Sequence, residues 1–349
     1  MIRVAALAVA ASTIACGGTT PPAPTGGATL AANVERSWTP HAGVLRQVAF
    51  SADSRWLATS SVDGDVKLWR VANGVLAHTL RHPAGVTSVA FAPDGESLVT
   101  GSYDRAVRVW SLRTATLTRT LTGHEGTVWS VAIGRDGRRI ASGGEDRTVR
   151  LWRAADGAPL HTLAGHARNV WSVRFSPDAV LVGSGSFDRT VKLWRGDTGV
   201  LVRTIADHTQ AVVCIDFSAD GASIVSSGDD SSAIVSRVSD GTLVHRLTGG
   251  SDHLYAVAFS PDGQWIATGG REKGAVGTLW KQITGNRWKG GASPTIRLWR
   301  ARDGALLQSL VDHADDVVSV AFSGDGRWLA SASEDRTVKV WRLTLRSGT

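Results

Sequence analysis

The chain writes one short phrase five times. "SSVDGDVKLW" ends at Trp69, "GSYDRAVRVW" at Trp110, "GGEDRTVRLW" at Trp152, "GSFDRTVKLW" at Trp194 and "ASEDRTVKVW" at Trp341. Self-similarity at a fixed period limits the possible folds more than any composition does. It means one supersecondary unit that must stack on its own copies to bury a core. Four landmarks recur in register. A histidine stands at His41, His82, His124, His166, His208 and His313, and an aspartate follows 22 residues later at Asp63, Asp104, Asp146, Asp188, Asp230 and Asp335. A hydroxyl residue sits four before each aspartate: Thr59, Thr100, Ser142, Ser184, Ser226 and Ser331. The tryptophans lie six after it.

Successive histidines are 41 or 42 residues apart as far as His208. The next slot holds Gly250, and His313 comes 63 after His208, so the sixth unit carries an insertion of 21 residues. Its remaining landmarks are Thr268 and Trp299. Seven units with that insertion fill the chain from roughly residue 33 to its end. Each unit holds four short apolar or β-branched runs, such as "VWSVAI", "RIASG", "TVRLW" and "PLHTL", separated by turns such as "RDG" and "ADG". Apolar residues make up 42% of the chain and both faces of the inner runs are apolar, so each sheet must lie between two others. Radial stacking satisfies that requirement and leaves only short outer edges.

These landmarks and their period resemble the WD-repeat family of β-propellers. The resemblance implies an all-β, seven-bladed propeller of four-stranded antiparallel blades across residues 33–345. It also implies that His, Ser/Thr, Asp and Trp hydrogen-bond as a structural tetrad within each blade. Physical chemistry agrees, since such groups must satisfy one another once buried. The repeated phrase is therefore a building part. The last unit stops at its third strand, and "NVERSW" before His41 reads as an orphan fourth strand that completes blade seven.

Little remains for catalysis. Six of ten histidines fill tetrad slots, and His78, His161 and His245 fall in outer strands of different blades, leaving His253. The sequence has no Gly-x-Ser-x-Gly, phosphate-binding loop, His-Glu-x-x-His or calcium loop, so no enzyme, cofactor or metal is expected. A hydrolase-like propeller stays the least favoured reading. Blade five has Ser236 in its tryptophan slot and blade six lacks its histidine, either through repeat drift or because a functional region relaxes the pattern. The insertion, 271–294, sets Arg271, Lys273, Lys281, Arg287 and Lys289 against Glu272, supplying +4 of the net +7, with Trp280 and Trp288 interleaved. It is either a neutral surface hairpin or a contact loop for a partner or an anionic lipid or polymer. No nucleic acid is expected, because the other basic residues are scattered. Cys214, in "AVVCIDF", reads as a buried core residue.

Family topology places Arg46, Thr87, Trp129, Trp171, Val213, Tyr255 and Val318 on the top face, with Tyr103, Glu145, Phe187, Asp229 and Glu334 beside them. An aromatic arc with nearby carboxylates, Asp316 among them, forms a candidate mouth for a cation-bearing partner segment. At the other end, "MIRVAALAVAASTIACGG" is too short to span a bilayer and reads as an export signal over residues 1–15. Its "TIAC" resembles a bacterial lipobox, which implies lipidation of Cys16, although Thr13 departs from the usual aliphatic residue; a plain secretory signal and an unprocessed tail are the alternatives. Residues 16–32 read as an uncharged flexible tether. The combined expectation is an exported, lipid-anchored, non-catalytic interaction scaffold of the cell envelope.

Overall fold

The computed structural model describes residues 29–249, 253–271 and 295–346. The four runs of each unit become four antiparallel strands paired in chain order. In blade three they are Val128–Ile133, Arg139–Gly144, Thr148–Arg153 and Pro159–Ala164. Seven such sheets form, and each inner strand packs on the inner strand of the next blade until the seventh returns to the first. The core is accordingly not central. It is divided into layers between neighbouring blades, as where Val99, Val107 and Val109 of blade two meet Val128, Val131 and Ile140 of blade three. Strands apolar on both faces are what this architecture requires.

The ring closes between the two ends of the chain. The strand Thr29–Trp38 pairs antiparallel with the last strand, Val338–Arg346, as the outer strand of blade seven. It begins four residues inside the segment read as tether, so the propeller starts at 29 rather than 33. Leu30 and Ala32 in that extra piece are buried. Gln308 of blade six grips the strand's free edge: its Oε1 accepts the Ala32 N–H at 2.9 Å, and its Nε2 donates to the Ala32 carbonyl at 3.2 Å. An exposed strand edge is thus capped by one amide.

Similar latches join other blades around the rim. Arg36 donates to the carbonyls of Val71 and Ala72 in blade one, and Arg203 donates to those of Ser239 and Asp240 in blade five. His161 and His245 do the same to Asp197 at 2.9 Å and Arg302 at 3.1 Å. Two of the histidines left over from the tetrads therefore bridge blades, far from each other.

Candidate functional site

The tetrads are built around a buried hydroxyl. In blade three, Trp152 Nε1 donates to Ser142 Oγ at 2.9 Å, Ser142 Oγ lies 2.7 Å from His124 Nε2, and His124 Nδ1 lies 2.8 Å from Asp146. An indole N–H only donates and a carboxylate only accepts. With a neutral ring, donation therefore runs from Trp to Ser to His to Asp. The Glu125 N–H and the N–H and hydroxyl of Thr148 also donate to the carboxylate. Blade four repeats this with Trp194, Ser184, His166 and Asp188, and blade seven with Trp341, Ser331, His313 and Asp335. Blade one does so with Trp69, Thr59, His41 and Asp63. Blade five keeps Ser226, His208 and Asp230 without an indole, and in blade six Trp299 still donates to Thr268 at 3.0 Å. The Ser–His–Asp sets look like hydrolytic triads, but the Ser142, Ser184 and Ser331 hydroxyls are sealed at 0% exposure under an indole. They offer no accessible nucleophile.

Blade two departs from the pattern. Trp110 and His82 still converge on Thr100, but His82 Nδ1 faces the Leu80 carbonyl, and Asp104 instead takes both Arg108 guanidinium nitrogens at 3.0 and 2.6 Å. The cause is local. Pro83 follows His82 and has no N–H to give the carboxylate, and Ala106 stands where Thr148 or Thr190 supplies a hydroxyl. Arg108 fills the gap.

This rewiring gives a pH signature. Burial, with the Arg108 charge beside it, pushes the His82 imidazole from 6.5 down to about 4. The unfolded chain then binds its proton first as pH falls. This contribution to stability is intact above 6.5 and is lost as pH drops toward 4. A shift of that size corresponds to a loss on the order of 3 kcal/mol. Asp146, Asp188, Asp230 and Asp335 are held well below the carboxylate range: burial pushes them up, but hydrogen bonds from their histidine and hydroxyl partners outweigh it. Their contribution persists above the ordinary 3.8 and fails only in stronger acid. Denaturant midpoints should therefore fall in two stages on acidification. His82→Gln should shrink the stage between 6.5 and about 4, leaving the part that burial of His41 supplies, and leave the lower one. An unchanged upper stage would show that His82 does not carry it.

At the end of the ring where the His and Asp loops meet, the mouth is shaped by seven β-bulges. Every inner strand slips register by one residue, as between Val128 and Ser130 or Val170 and Ser172. The extra residues are Arg46, Thr87, Trp129, Trp171, Val213, Tyr255 and Val318, and all seven line one cavity of about 270 Å³. A bulge leaves its extra residue outside the ladder, free to turn toward the axis.

The aromatic arc is real but tightly tiled. Trp129 stacks on Trp171 with centroids 4.7 Å apart and planes 6° from parallel. Trp171 stacks on Phe187 at 5.2 Å, and Tyr103 meets Trp129 edge-on at 5.6 Å. Arg46 lies over the Tyr103 ring at 5.9 Å. The ring faces are thus largely turned to one another or to Arg46. Offset stacking satisfies ring quadrupoles better than solvent does. Glu145 Oε2 accepts the Thr127 N–H, and so holds its own loop.

Blades five to seven form the opposite, acidic side. Tyr255 is pushed up to about 12 by burial, with Asp316, Asp229 and Glu334 adding to it. His253 stands 3.4 Å from Asp229. Oxygens of Asp315, Asp316 and Glu334 gather within 4.8 Å of one another, a spacing that suits a cation. Arg271 supplies one at 3.3 Å from Asp316. Arg271 ends the strand Trp265–Arg271, so it is a paired mouth residue rather than part of a free basic loop. Lys273, Lys281, Arg287, Lys289, Trp280 and Trp288 lie outside the described residues, as do Cys16, Gly250 and the export signal.

Sequence reasoning missed the channel below the mouth. Cys214, half-buried and packed against the layer between blades five and six, also lines it. The next tier down is Ala49, Ala90, Ala132, Ala258 and Ala321, interrupted by Arg174 and Asp216. The signal was legible in "VRF" and "IDF", where blades one, two, six and seven write "VAF".

A family model described as "WD domain, G-beta repeat" matches residues 33–70, 74–111, 115–153, 157–195, 199–235, 241–275 and 304–342. A stretch of 55 residues is 44% identical to the nuclear distribution protein PAC1 of Tuber melanosporum, over 16% of this chain and 12% of that one. Another of 53 residues is 42% identical to the periodic tryptophan protein 2 homolog of Schizosaccharomyces pombe, over 15% and 6%. A third of 53 residues is 40% identical to the target of rapamycin complex subunit wat1 of the same organism, over 15% and 17%. The chain thus spans less than a fifth of the length of each of these relatives.

Proposed function

Because the chain belongs to the WD40 repeat family, whose propellers typically serve as protein-interaction scaffolds, we propose that it is a non-catalytic scaffold whose top mouth binds a cation-bearing segment of a partner protein. The setting in this reading is the bacterial cell envelope, with export through residues 1–15 and a lipid anchor at Cys16. The observation that carries it is the two-sided mouth: the ledge of Tyr103, Trp129, Trp171 and Phe187 faces the acidic group of Asp229, Asp316 and Glu334. Apolar parts of a segment suit the edges of the ledge. A Lys or Arg suits the carboxylates, where charge-assisted hydrogen bonds are roughly twice as strong as neutral ones. Rigid aromatic anchors are also the usual energetic centres of interfaces.

The test compares the full chain with Trp129→Ala/Trp171→Ala and with Cys16→Ser in the native envelope. The double variant should keep its circular dichroism and lose crosslinked partner at least tenfold, on the order of the ~2 kcal/mol or more that such anchors contribute. Cys16→Ser should move the protein from the detergent to the aqueous phase. If the double variant folds and still captures the partner, the mouth is not the site. If that capture also weakens steeply with salt, the alternative of polyanion binding through the basic insertion takes its place. Equal aqueous partitioning of both Cys16 forms removes the anchor from the reading.

A further inference from the structure

We infer that the floor of the mouth cavity, where Arg174 borders it, is a binding site for a small carboxylate. The argument starts from how neighbouring blades are stitched along the axis. Ser88 Oγ accepts the Val131 N–H at 3.0 Å and Ser130 Oγ accepts the Val173 N–H at 3.1 Å. Ser319 Oγ accepts the Val48 N–H at 3.2 Å, and Gln47 Oε1 accepts the Val89 N–H at 2.8 Å. These side chains spend an acceptor on the next blade. A hydroxyl or amide used that way still has hydrogens to donate. Among the described residues nothing takes them, and all four side chains line the cavity of about 270 Å³. The cavity wall therefore presents donors; its one lining carboxylate, Glu334, does not border the lower chamber that Arg174 also reaches.

Arg174 supplies the charge. It borders both this cavity and the chamber below it, in a tier where five blades are satisfied with alanine. The fold has no need of a cation there. One of its nitrogens donates to the Val173 carbonyl at 2.9 Å, which leaves most of a five-donor fork for a ligand. Asp216, its neighbour, is otherwise employed. Cys214 occupies the stitching position in blade five, where its Sγ reaches the Val257 carbonyl at 3.6 Å, and Asp216 Oδ2 adds a bond to blade six, accepting the Phe259 N–H at 2.8 Å. Burial pushes the Asp216 carboxyl upward against the attraction of Arg174. Donors around the wall, a guanidinium at the floor and the Trp129 and Trp171 rings above fit a carboxylate on a short planar or apolar body. This site shares the cavity and the Trp129 and Trp171 rings with the scaffold reading, but it needs no partner protein.

The probes are benzoate and benzamide, titrated calorimetrically into the full-length protein. A peptide ending in phenylalanine, with its terminus free or amidated, is added to tell a chain terminus from a free acid. Benzoate should bind saturably and benzamide at least about tenfold more weakly, because only the former pairs with Arg174. Tighter binding of the free-terminus peptide than of benzoate assigns the site to a chain end, and the reverse assigns it to a small acid. Arg174→Ala/Asp216→Ala restores the alanine tier without stranding a buried charge, so it should fold and lose benzoate binding at least tenfold. Ser130→Ala should weaken it severalfold. Equal affinity for benzoate and benzamide, binding that survives the double alanine variant, or no saturable heat up to about 50 mM would each overturn the assignment.

Discussion

A chain deleted through residue 38 is expected to lose its cooperative melt, while one deleted only through residue 28 keeps it. The strand Thr29–Trp38 makes nine register pairs with Thr29↔Arg346 at one end and Trp38↔Val338 at the other. Its loss exposes the edge of Val338–Arg346, uncovers the layer around Leu30, Ala32 and Trp341, and frees both hydrogen-bonding groups of Gln308. Trp38 also packs edge-on against Trp69 at 5.5 Å, so blade one is affected across the seam. Several lost hydrogen bonds at ~1 kcal/mol each, together with the uncovered apolar area, reach about 5 kcal/mol or more. Domains have only about 5–15 kcal/mol in total.

Deletion through residue 32 should fall between the two, because it removes Leu30, Ala32 and the Gln308 grip but leaves Asn33–Trp38 paired. A synthetic peptide of residues 29–38, added in excess, should restore part of the stability of the shortest form by mass action. Melting within about 2 °C for all three forms would mean that this strand does not hold the ring closed.

The repeat could be read from sequence because tetrad partners recur at fixed short spacing, with 18 residues from His124 to Ser142 and 10 from Ser142 to Trp152. Local strand lengths fix those intervals. What could not be read depends on geometry that spacing does not encode. Trp129 and Trp171 were placed at the mouth by family topology, but a strand alternation shows neither the bulge that turns them inward nor the stacking that occupies their faces. "TLAA" reads as tether because it continues an uncharged stretch of Pro, Thr, Gly and Ala. Its burial comes from blade six, through Gln308, 276 residues away. Blade two was different: Pro83, Ala106 and Arg108 were all visible. Together they foretell the rewired Asp104 once each donor to that carboxylate is counted.

The tetrad hydroxyls should rank by how many buried donors and acceptors they serve. Ser142→Ala strips one partner from the Trp152 indole and one from His124 Nε2, both in a site without water access. Each orphaned buried group costs about 1–3 kcal/mol, so the loss should be roughly 2–4 kcal/mol after partial relaxation. Ser226→Ala in blade five strands only His208, since Ser236 replaces the indole there, and should cost about half as much. Ser227 is the control beside it. Its hydroxyl is fully buried and has no hydrogen-bond partner among the described residues, so Ser227→Ala removes an uncompensated desolvation and should be neutral or slightly stabilising. The three substitutions are the same chemical change at 0–4% exposure, which leaves partner count as the variable. Urea midpoints at constant slope measure it directly. Equal losses at Ser142, Ser226 and Ser227 would show that the hydroxyls fill space and that the tetrads do not stabilise the blades through their hydrogen bonds.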